Sequence, residues 1–287
     1  MSLSVNTNAA AFSALQNLSS STKLLNQTQS RLNTGLSVGS SKDNAAVFSI
    51  AQKLRGDIAG LNAANASMDR AMSSLDVAIA AGEAVQDILI EMKDKATAAK
   101  DAGLDTSSRQ ALDDDFQELL KQINSIVENA EFNGTNMVDG GQDIVAITDD
   151  TGDSTITVSA VTMTLGTNGG SYGTIQLYDY DTIAVTSTTI NGTQSGADVI
   201  VGEVESSITN VSSALSDMGA AYKRLELQKE FTNKLSNSIE TGIGNLVDAD
   251  LAKESATLNA VQTRQQLGLQ ALSIANQGPQ AVLSLFR

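Results

Sequence analysis

The side chains that could support chemistry in this 287-residue chain are mostly carboxylates. Three consecutive aspartates, Asp113–Asp115, are followed by Glu118, and three more aspartates surround Gly152. Grouped carboxylates can act as a general acid and base or can bind a cation such as Ca²⁺. The chain has no Cys and no His. Thiol nucleophiles, thiolate zinc sites and catalytic triads that contain His are therefore excluded.

Neither acidic group has the pattern that a site requires. Asp113–Asp115 and Glu118 lie in a predicted helix that already has a full apolar stripe, so we interpret them as its solvent-facing side. The second group lacks the twelve-residue loop and the closing Glu of an EF-hand. The glycines between 166 and 173 lack a phosphate-binding spacing, and no Lys or Arg lies near them. These patterns disfavour an enzyme, and we expect no cofactor and no metal.

The charge distribution limits the possible partners. The chain has 33 acidic and 18 basic side chains, a net charge of −15, and residues 141–205 contain no Lys or Arg. Nucleic acid and anionic membranes need basic patches, so we expect neither as a partner. Residues 1–22 and 265–286 carry no charge, but polar residues interrupt them. We therefore predict neither a signal peptide nor a membrane span, but ends that pack against other protein.

The elements that must position these residues are mostly long helices. Apolar residues recur at steps of three and four until Gly35, and they include Leu15, Leu18, Leu25 and Leu32. A second run keeps a seven-residue apolar repeat from near Asp43 to about Asp101, which predicts a coiled-coil seam. At ~1.5 Å per residue this helix extends roughly 85 Å. A compact globule of this chain length is only about 50 Å across, so we expect an elongated protein.

The middle of the chain changes from a helical to a strand-like pattern. Ser107 and Gln110 form a capping-box pattern that opens a third helix, and this helix ends before the turn at Gly134. A short link through Gly103 makes it an antiparallel partner of the second helix. Residues 141–205 then alternate polar and apolar side chains between turn residues. This alternation predicts a small antiparallel β insert.

The helical repeat returns from about Ser206. A last helix, beyond Gly244, carries the apolar residues Leu251, Leu258, Leu272 and Val282. We therefore predict a mainly α fold in which the N- and C-terminal segments form a long antiparallel coiled-coil helical bundle, with the β insert in the middle.

Five motifs closely resemble those of bacterial flagellin. They are VNTN at 5–8, SRLNTGLSVGSSKDNAA at 30–46, FNG at 132–134, DADLAKE at 248–254 and ANQGPQAVLSLFR at 275–287. The motif residues that we assign are Asn6, Asn8, Arg31, Gly35, Lys42, Asp43, Phe132, Asn133, Gly134, Asn276 and Pro279. The resemblance covers roughly residues 1–140 and 206–287. It is strongest to the short alphaproteobacterial kind.

The resemblance implies a structural subunit that polymerises into the flagellar filament for swimming motility. Residues 1–43 and 247–287 would form an inner coiled-coil domain, 44–140 and 206–246 a helical bundle domain around it, and 141–205 an exposed variable insert. The residues implied to pack between subunits are Leu15, Leu18, Leu25, Leu32, Leu251, Leu258, Leu272, Val282, Leu285 and Arg287.

The resemblance also implies partners and a location. The partners are other copies of the chain in a helical homopolymer, the flagellar cap and hook-associated proteins, an export chaperone and the type III export apparatus. The location is extracellular, in the flagellum. The alternatives are a hook–filament junction protein, which shares the terminal architecture, and a coiled-coil signalling module, which lacks a β insert.

One departure from the family pattern concerns an animal innate receptor. Many flagellins carry a QRxRELxxQ run that this receptor binds. In the matching register Asp94 replaces the first Arg and Ala98 replaces the Leu, and we assign Asp115 to the same altered epitope. The resemblance therefore implies weak or absent activation of the receptor.

Overall fold

The computed structural model describes residues 8–164 and 194–284, without the side chains of 194–196 and 278–284. Helices make up 77% of these residues. The elements are α1 (Ala9–Thr34), α2 (Ala45–Ala99), α3 (Thr106–Asn129), β1 (Glu131–Phe132), β2 (Thr135–Asn136), β3 (Ile144–Ile147), β4 (Thr155–Val158), α4 (Gln194–Val247) and α5 (Leu251–Ser284). The mainly α coiled-coil fold with small antiparallel sheets is confirmed.

The chain divides into two compact units. Residues 1–56 and 237–287 form one, which we call the terminal unit, and residues 57–236 form the other, the central unit. The terminal unit has 5 acidic and 8 basic side chains, a net charge of +3, whereas the central unit has 28 acidic and 10 basic, a net charge of −18. The acidic excess of the chain therefore belongs to the central unit alone.

In the terminal unit α1 packs against α5. The Asn8 side chain caps α1 by accepting a hydrogen bond from the Ala11 amide (3.0 Å), and it also donates to the Ala275 carbonyl oxygen of α5 (2.8 Å). Helix α1 ends at Gly35, which adopts a left-handed conformation (φ 72°). The Ala249 amide donates to the Gly35 carbonyl oxygen (2.8 Å). Since other residues are strained at this φ, Gly35 fixes the turn after α1.

In the central unit α2 and α4 are antiparallel and share one register. Polar side chains meet between them in five pairs whose residue numbers each add up to 298. These pairs are Asn65–Asn233, Asp69–Lys229, Gln86–Ser212, Lys93–Glu205 and Lys100–Asp198. Between the pairs lies the apolar seam, which includes Met68, Leu75, Leu89, Met92, Val211, Met218 and Leu225. The repeat in the sequence thus forms a buried seam.

Helix α3 begins one residue before the predicted cap. Its N-cap is Asp105, whose Oδ1 accepts a hydrogen bond from the Ser108 amide at 2.7 Å. The prediction of a Ser107 and Gln110 capping box was therefore wrong, since a carboxylate two residues earlier satisfies the free amides. The interpretation of Asp113 as solvent-facing was also wrong, because this side chain is buried.

The connection between α2 and α3 is closed by Arg109. Its side chain is buried, Nε donates to the Ala99 carbonyl oxygen and Nη2 to that of Asp101, each at 2.9 Å. These carbonyls lie at and just beyond the end of α2, where no further helical turn can pair them. Arg109 thus stabilises the end of α2 with a charge of the sign that complements the helix dipole.

The strands form two small antiparallel pairs. The β1–β2 turn contains Asn133 (φ 51°) and Gly134 (φ 82°), and β3 pairs with β4 in the register Ile144↔Val158 to Ile147↔Thr155. The β3–β4 hairpin lies against α2 so closely that a Cβ on Gly60 would be 2.4 Å from the Asp150 carbonyl oxygen. The hairpin prediction thus holds for residues 144–158.

The later part of the predicted β insert is helical. Helix α4 already begins at Gln194, whereas the helical repeat was expected from about Ser206. The reason is a buried row on α4, Ala197, Ile200 and Val204, whose steps of three and four are helical. Residues 165–193, which were predicted to belong to the same β insert, lie outside the described residues.

Candidate functional site

Most of the exposed large apolar side chains of the terminal unit lie along α1 and α5. Among the described residues of this unit the buried apolar side chains are only Ala51, Ile243, Val247 and Val261. By contrast, Phe12 of α1 is 68% exposed and Ile274 of α5 is 69% exposed. The exposed large apolar residues of the two helices are Phe12, Leu15, Leu24, Leu251, Leu267, Leu269 and Ile274. Large apolar side chains that are left in solvent along two paired helices are typical of a protein-binding surface.

The residues expected to pack between subunits lie on the same two helices wherever the structure describes them. Leu15 and Leu251 are at least half exposed, whereas Leu18, Leu25, Leu32, Leu258 and Leu272 are partly buried. Leu18 lies against Gly268 of α5, since a Cβ there would be 3.5 Å from Leu18 Cδ1. Val282 belongs to α5, but its side chain lies outside the described residues, as do Leu285 and Arg287.

Phe12, Leu24, Leu267, Leu269 and Ile274 were missed by the sequence reasoning. They lie off the apolar repeat that we followed along α1 and α5, and the structure leaves them exposed. For all of them except Leu24, the signal that could have found them is the absence of charge in residues 1–22 and 265–286. Apolar residues outside the seam in a charge-free helix indicate a second buried face, which another chain must supply.

The motif residues hold α1, α5 and their neighbouring turns. Arg31 Nη1 pairs with Glu254 Oε1 at 3.1 Å, and only 13% of the Glu254 side chain is exposed. Asp43 Oδ2 accepts hydrogen bonds from the amide and hydroxyl of Ser40, each at 3.0 Å, and the hydroxyl bond lowers the pKa of Asp43. Lys42 and Asn276 are exposed. The motif around residue 31 therefore positions the two helices.

The remaining motif residues fall into two groups. Phe132, Asn133 and Gly134 form the β1–β2 turn in the central unit. Asn6 and the Pro279 side chain lie outside the described residues. The residues of the altered receptor epitope, Asp94, Ala98 and Asp115, are all exposed. Lys95 Nζ pairs with Asp115 Oδ2 at 2.8 Å, and this contact raises the pKa of Lys95.

No chemical site forms around the carboxylates of the described residues. No group of three or more Asp or Glu side chains there is arranged to hold a metal ion. An open cleft of about 260 Å³ is lined by Ser67, Arg70, Ser74, Asn133 and Gln142, among others. No described helix is long and apolar enough to cross a membrane. The apolar faces of α1 and α5 are therefore the candidate site.

Comparison with known families identifies the chain. The family model of the bacterial flagellin N-terminal helical region matches residues 5–143, and that of the C-terminal helical region matches residues 201–286. The chain belongs to the flagellin family. The opening motif of this flagellin and all of its closing motif except Arg287 thus lie within the matched regions, and the match resumes a few residues after the start of α4.

Similar proteins cover the whole chain. It is 41% identical to flagellin FljM of Caulobacter vibrioides over 99% of this chain and 98% of that protein. It is 32% identical to a flagellin of Brucella melitensis, with 99% of each chain covered. A putative flagellar hook-associated protein from Vibrio parahaemolyticus has a similar fold, with a TM-score of 0.52, 12% identity and coverage of 72% of this chain and 100% of that one. That identity bears on the fold alone.

The family and its relatives support a subunit of the flagellar filament. They do not favour the hook–filament junction alternative. Membership in this structural family also implies that the flagellin is not an enzyme.

Proposed function

We propose that this flagellin polymerises through its terminal unit, with α1 and α5 of each subunit packing against those of neighbouring subunits. The exposed apolar residues of these helices, Phe12 and Ile274 above all, carry the proposal. Fully burying one large apolar side chain contributes about 1.5–3 kcal/mol. Seven partly exposed side chains on α1 and α5 therefore contribute on the order of 10 kcal/mol per subunit when neighbours cover them.

The charge distribution supports the same arrangement. The terminal unit carries +3 and the central unit −18, so the faces that would meet in the polymer are those with the least mutual repulsion. Repulsion between the central units of neighbouring subunits opposes assembly, and salt screens it over about 10 Å at 0.1 M. We therefore expect assembly to be favoured by salt.

The proposed organisation follows the family. Residues 1–43 and 247–287 would form the inner coiled-coil layer, 44–140 and 206–246 the helical bundle around it, and 141–205 the outward insert. The observed terminal unit, 1–56 with 237–287, supports a boundary close to the first of these divisions. The proposed location is the extracellular filament. The proposed partners besides other copies are the cap and hook-associated proteins, an export chaperone and the type III export apparatus.

Substitution of Phe12 tests the assembly role directly. Phe12→Asp should place a charge in the subunit contact and leave a soluble monomer, whereas the matched control Phe12→Leu keeps the side chain apolar and should assemble. Removal of residues 273–287 should also leave a soluble monomer. Long filaments of Phe12→Asp or of the truncated chain, seen by electron microscopy after salt-induced assembly, would contradict the proposal.

A further inference from the structure

A second apolar face without a partner lies on α4, inside the central unit. Leu227, Phe231 and Leu235 are 63%, 57% and 38% exposed. Their spacing of four residues places them along one side of the helix, whereas Leu225 and Thr232 are buried on another side. We call these three residues the α4 stripe. The α4 stripe does not belong to the α2–α4 seam.

The charges around the α4 stripe are opposite to those of the unit. Residues 223–234 contain four basic and two acidic side chains, although the central unit as a whole carries −18. Lys229 pairs with Asp69 of α2, and Lys234 donates to Glu230 at 2.7 Å. Arg224 is exposed one turn away from the stripe. Lys223 also pairs with Glu226, so the weakly basic character around the stripe rests mainly on Arg224.

The outer face of the β3–β4 hairpin has the complementary character. Ala146 of β3 is buried, whereas its neighbours Val145 and Ile147 point outward and are exposed. Four aspartates lie around these two residues, at 143, 149, 150 and 153, and residues 141–205 contain no basic side chain. Arg70 of α2 lines the same cleft as Asp143 and Val145, so the surround of this apolar face is acidic on balance, with four aspartates and one nearby basic side chain.

These two faces are left exposed within one subunit, so they do not cover each other there. Contact between two different faces of identical chains repeats from copy to copy, and it produces an open helical polymer when the rotation between copies does not close a ring. Burial of apolar surface would drive the contact, and the opposite charges would fix its register. A second copy of this chain therefore offers each face a partner that is both apolar and of opposite charge.

We propose that the α4 stripe of one subunit packs against the outer face of the β3–β4 hairpin of a neighbouring subunit. Leu227, Phe231 and Leu235 meet Val145 and Ile147, and Arg224 faces the aspartates of the hairpin. This inference rests on the proposed function, since it concerns the contact between subunits of the same polymer.

Engineered cysteines test the contact, because the chain has none of its own. We expect filaments of the Leu227→Cys, Val145→Cys double variant to form a ladder of covalent multimers on oxidation or with a short bismaleimide. Filaments made from a mixture of the two single variants should give dimers that contain one copy of each. Filaments of either single variant alone should give none.

The outcomes separate this inference from the proposed function. Filaments that form but give no ladder would overturn the contact and leave polymerisation through the terminal unit intact. Dimers from Leu227→Cys alone would show a stripe-to-stripe contact and would equally overturn it. Failure of the unmodified chain to form filaments would overturn the proposed function itself, and with it the contact.

Charge exchange provides a second test that needs no cross-linking. Arg224→Glu should raise the critical concentration for assembly severalfold. Adding Asp150→Arg to this variant should lower the critical concentration again, because the two opposite charges have then exchanged places. Phe231→Asp should raise the critical concentration at least tenfold. Val199 is an exposed apolar residue on the same helix but far from the stripe, so Val199→Asp should leave the critical concentration unchanged. Circular dichroism of each monomer confirms that it is folded. No rescue by Asp150→Arg, or equal effects of Phe231→Asp and Val199→Asp, would contradict the contact.

Discussion

Gly60 is the residue whose replacement most directly tests the packing of the β3–β4 hairpin on α2. A Cβ at this position would be 2.4 Å from the Asp150 carbonyl oxygen and 2.8 Å from the Asp150 Cα. Both atoms belong to backbone, which cannot rotate away as the end of a side chain can. Gly60→Ala therefore requires the hairpin to move away from the helix.

The magnitude follows from two opposing effects. Ala is favoured over Gly inside a helix by about 1 kcal/mol, whereas overpacking at a close contact costs about 1–3 kcal/mol. Gly219 of α4 is the matched control, because a Cβ there would meet nothing within 4 Å. Gly219→Ala should thus raise the free energy of unfolding by up to about 1 kcal/mol. Gly60→Ala should lie about 1–3 kcal/mol below that control.

The assay is chemical denaturation of the monomer, followed by hydrogen exchange of the β3 and β4 amides. We expect faster exchange in the hairpin of Gly60→Ala, with little change in the α2–α4 seam. Equal stabilisation by Gly60→Ala and Gly219→Ala, with unchanged exchange at β3 and β4, would refute the close approach of the hairpin to α2.

Three further predictions concern separate parts of the central unit. Arg109→Ala should lower the free energy of unfolding by about 3 kcal/mol in chemical denaturation. The reason is that hydrogen bonds from a charged group contribute about 1.5–3 kcal/mol and that the carbonyls at the end of α2 lose their donor. Arg109→Lys should recover only part of this loss of stability. Burial raises the pKa of Glu203 above its unfolded-state value, so ionisation of Glu203 destabilises the fold as the pH rises through that range. Glu203→Gln should therefore stabilise the monomer at neutral pH and make its stability depend less on pH. Equal stability of the two chains at neutral pH would contradict this prediction. With Asp94 and Ala98 exposed in place of the family's Arg and Leu, a cell reporter of the innate flagellin receptor should respond weakly or not at all, and a full response at ordinary flagellin doses would refute this.

The sequence predicted the elements whose determinants are local. The seven-residue repeat of α2 predicted the buried seam at Leu75 and Leu89, and Gly35 predicted the end of α1, where the chain needs a positive φ. Both signals depend on residues close in the sequence. Such periodicity and turn chemistry are visible without any knowledge of the tertiary contacts.

Two of the three errors occurred where tertiary contacts decide. Asp113 is buried in the structure although it lies in an acidic run, and Asp105 rather than Ser107 caps α3. The first part of α4 was assigned to the β insert because residues 141–205 share a composition without Lys or Arg, although Ala197 and Ile200 begin a buried helical row there. Burial decided the outcome for Asp113 and for the first part of α4, whereas the hydrogen bond from the Ser108 amide to Asp105 decided the cap of α3.

The candidate site was only partly predictable for a different reason. Apolar residues that pack within a chain and apolar residues that pack between chains have the same periodicity. Leu18 turned out to contact α5, whereas Phe12 and Ile274 were missed and are exposed. Only the structure separates the seam that the chain buries itself from the face that it leaves for another subunit.

A helical reconstruction of the assembled chain by cryo-electron microscopy tests the central claim most directly. Polymerisation through the terminal unit predicts that Phe12 and Ile274, each more than two thirds exposed in the single chain, are buried against α1 or α5 of neighbouring subunits. Filaments in which these two side chains remain in solvent, and in which the contacts between subunits lie only in the central units, would contradict it.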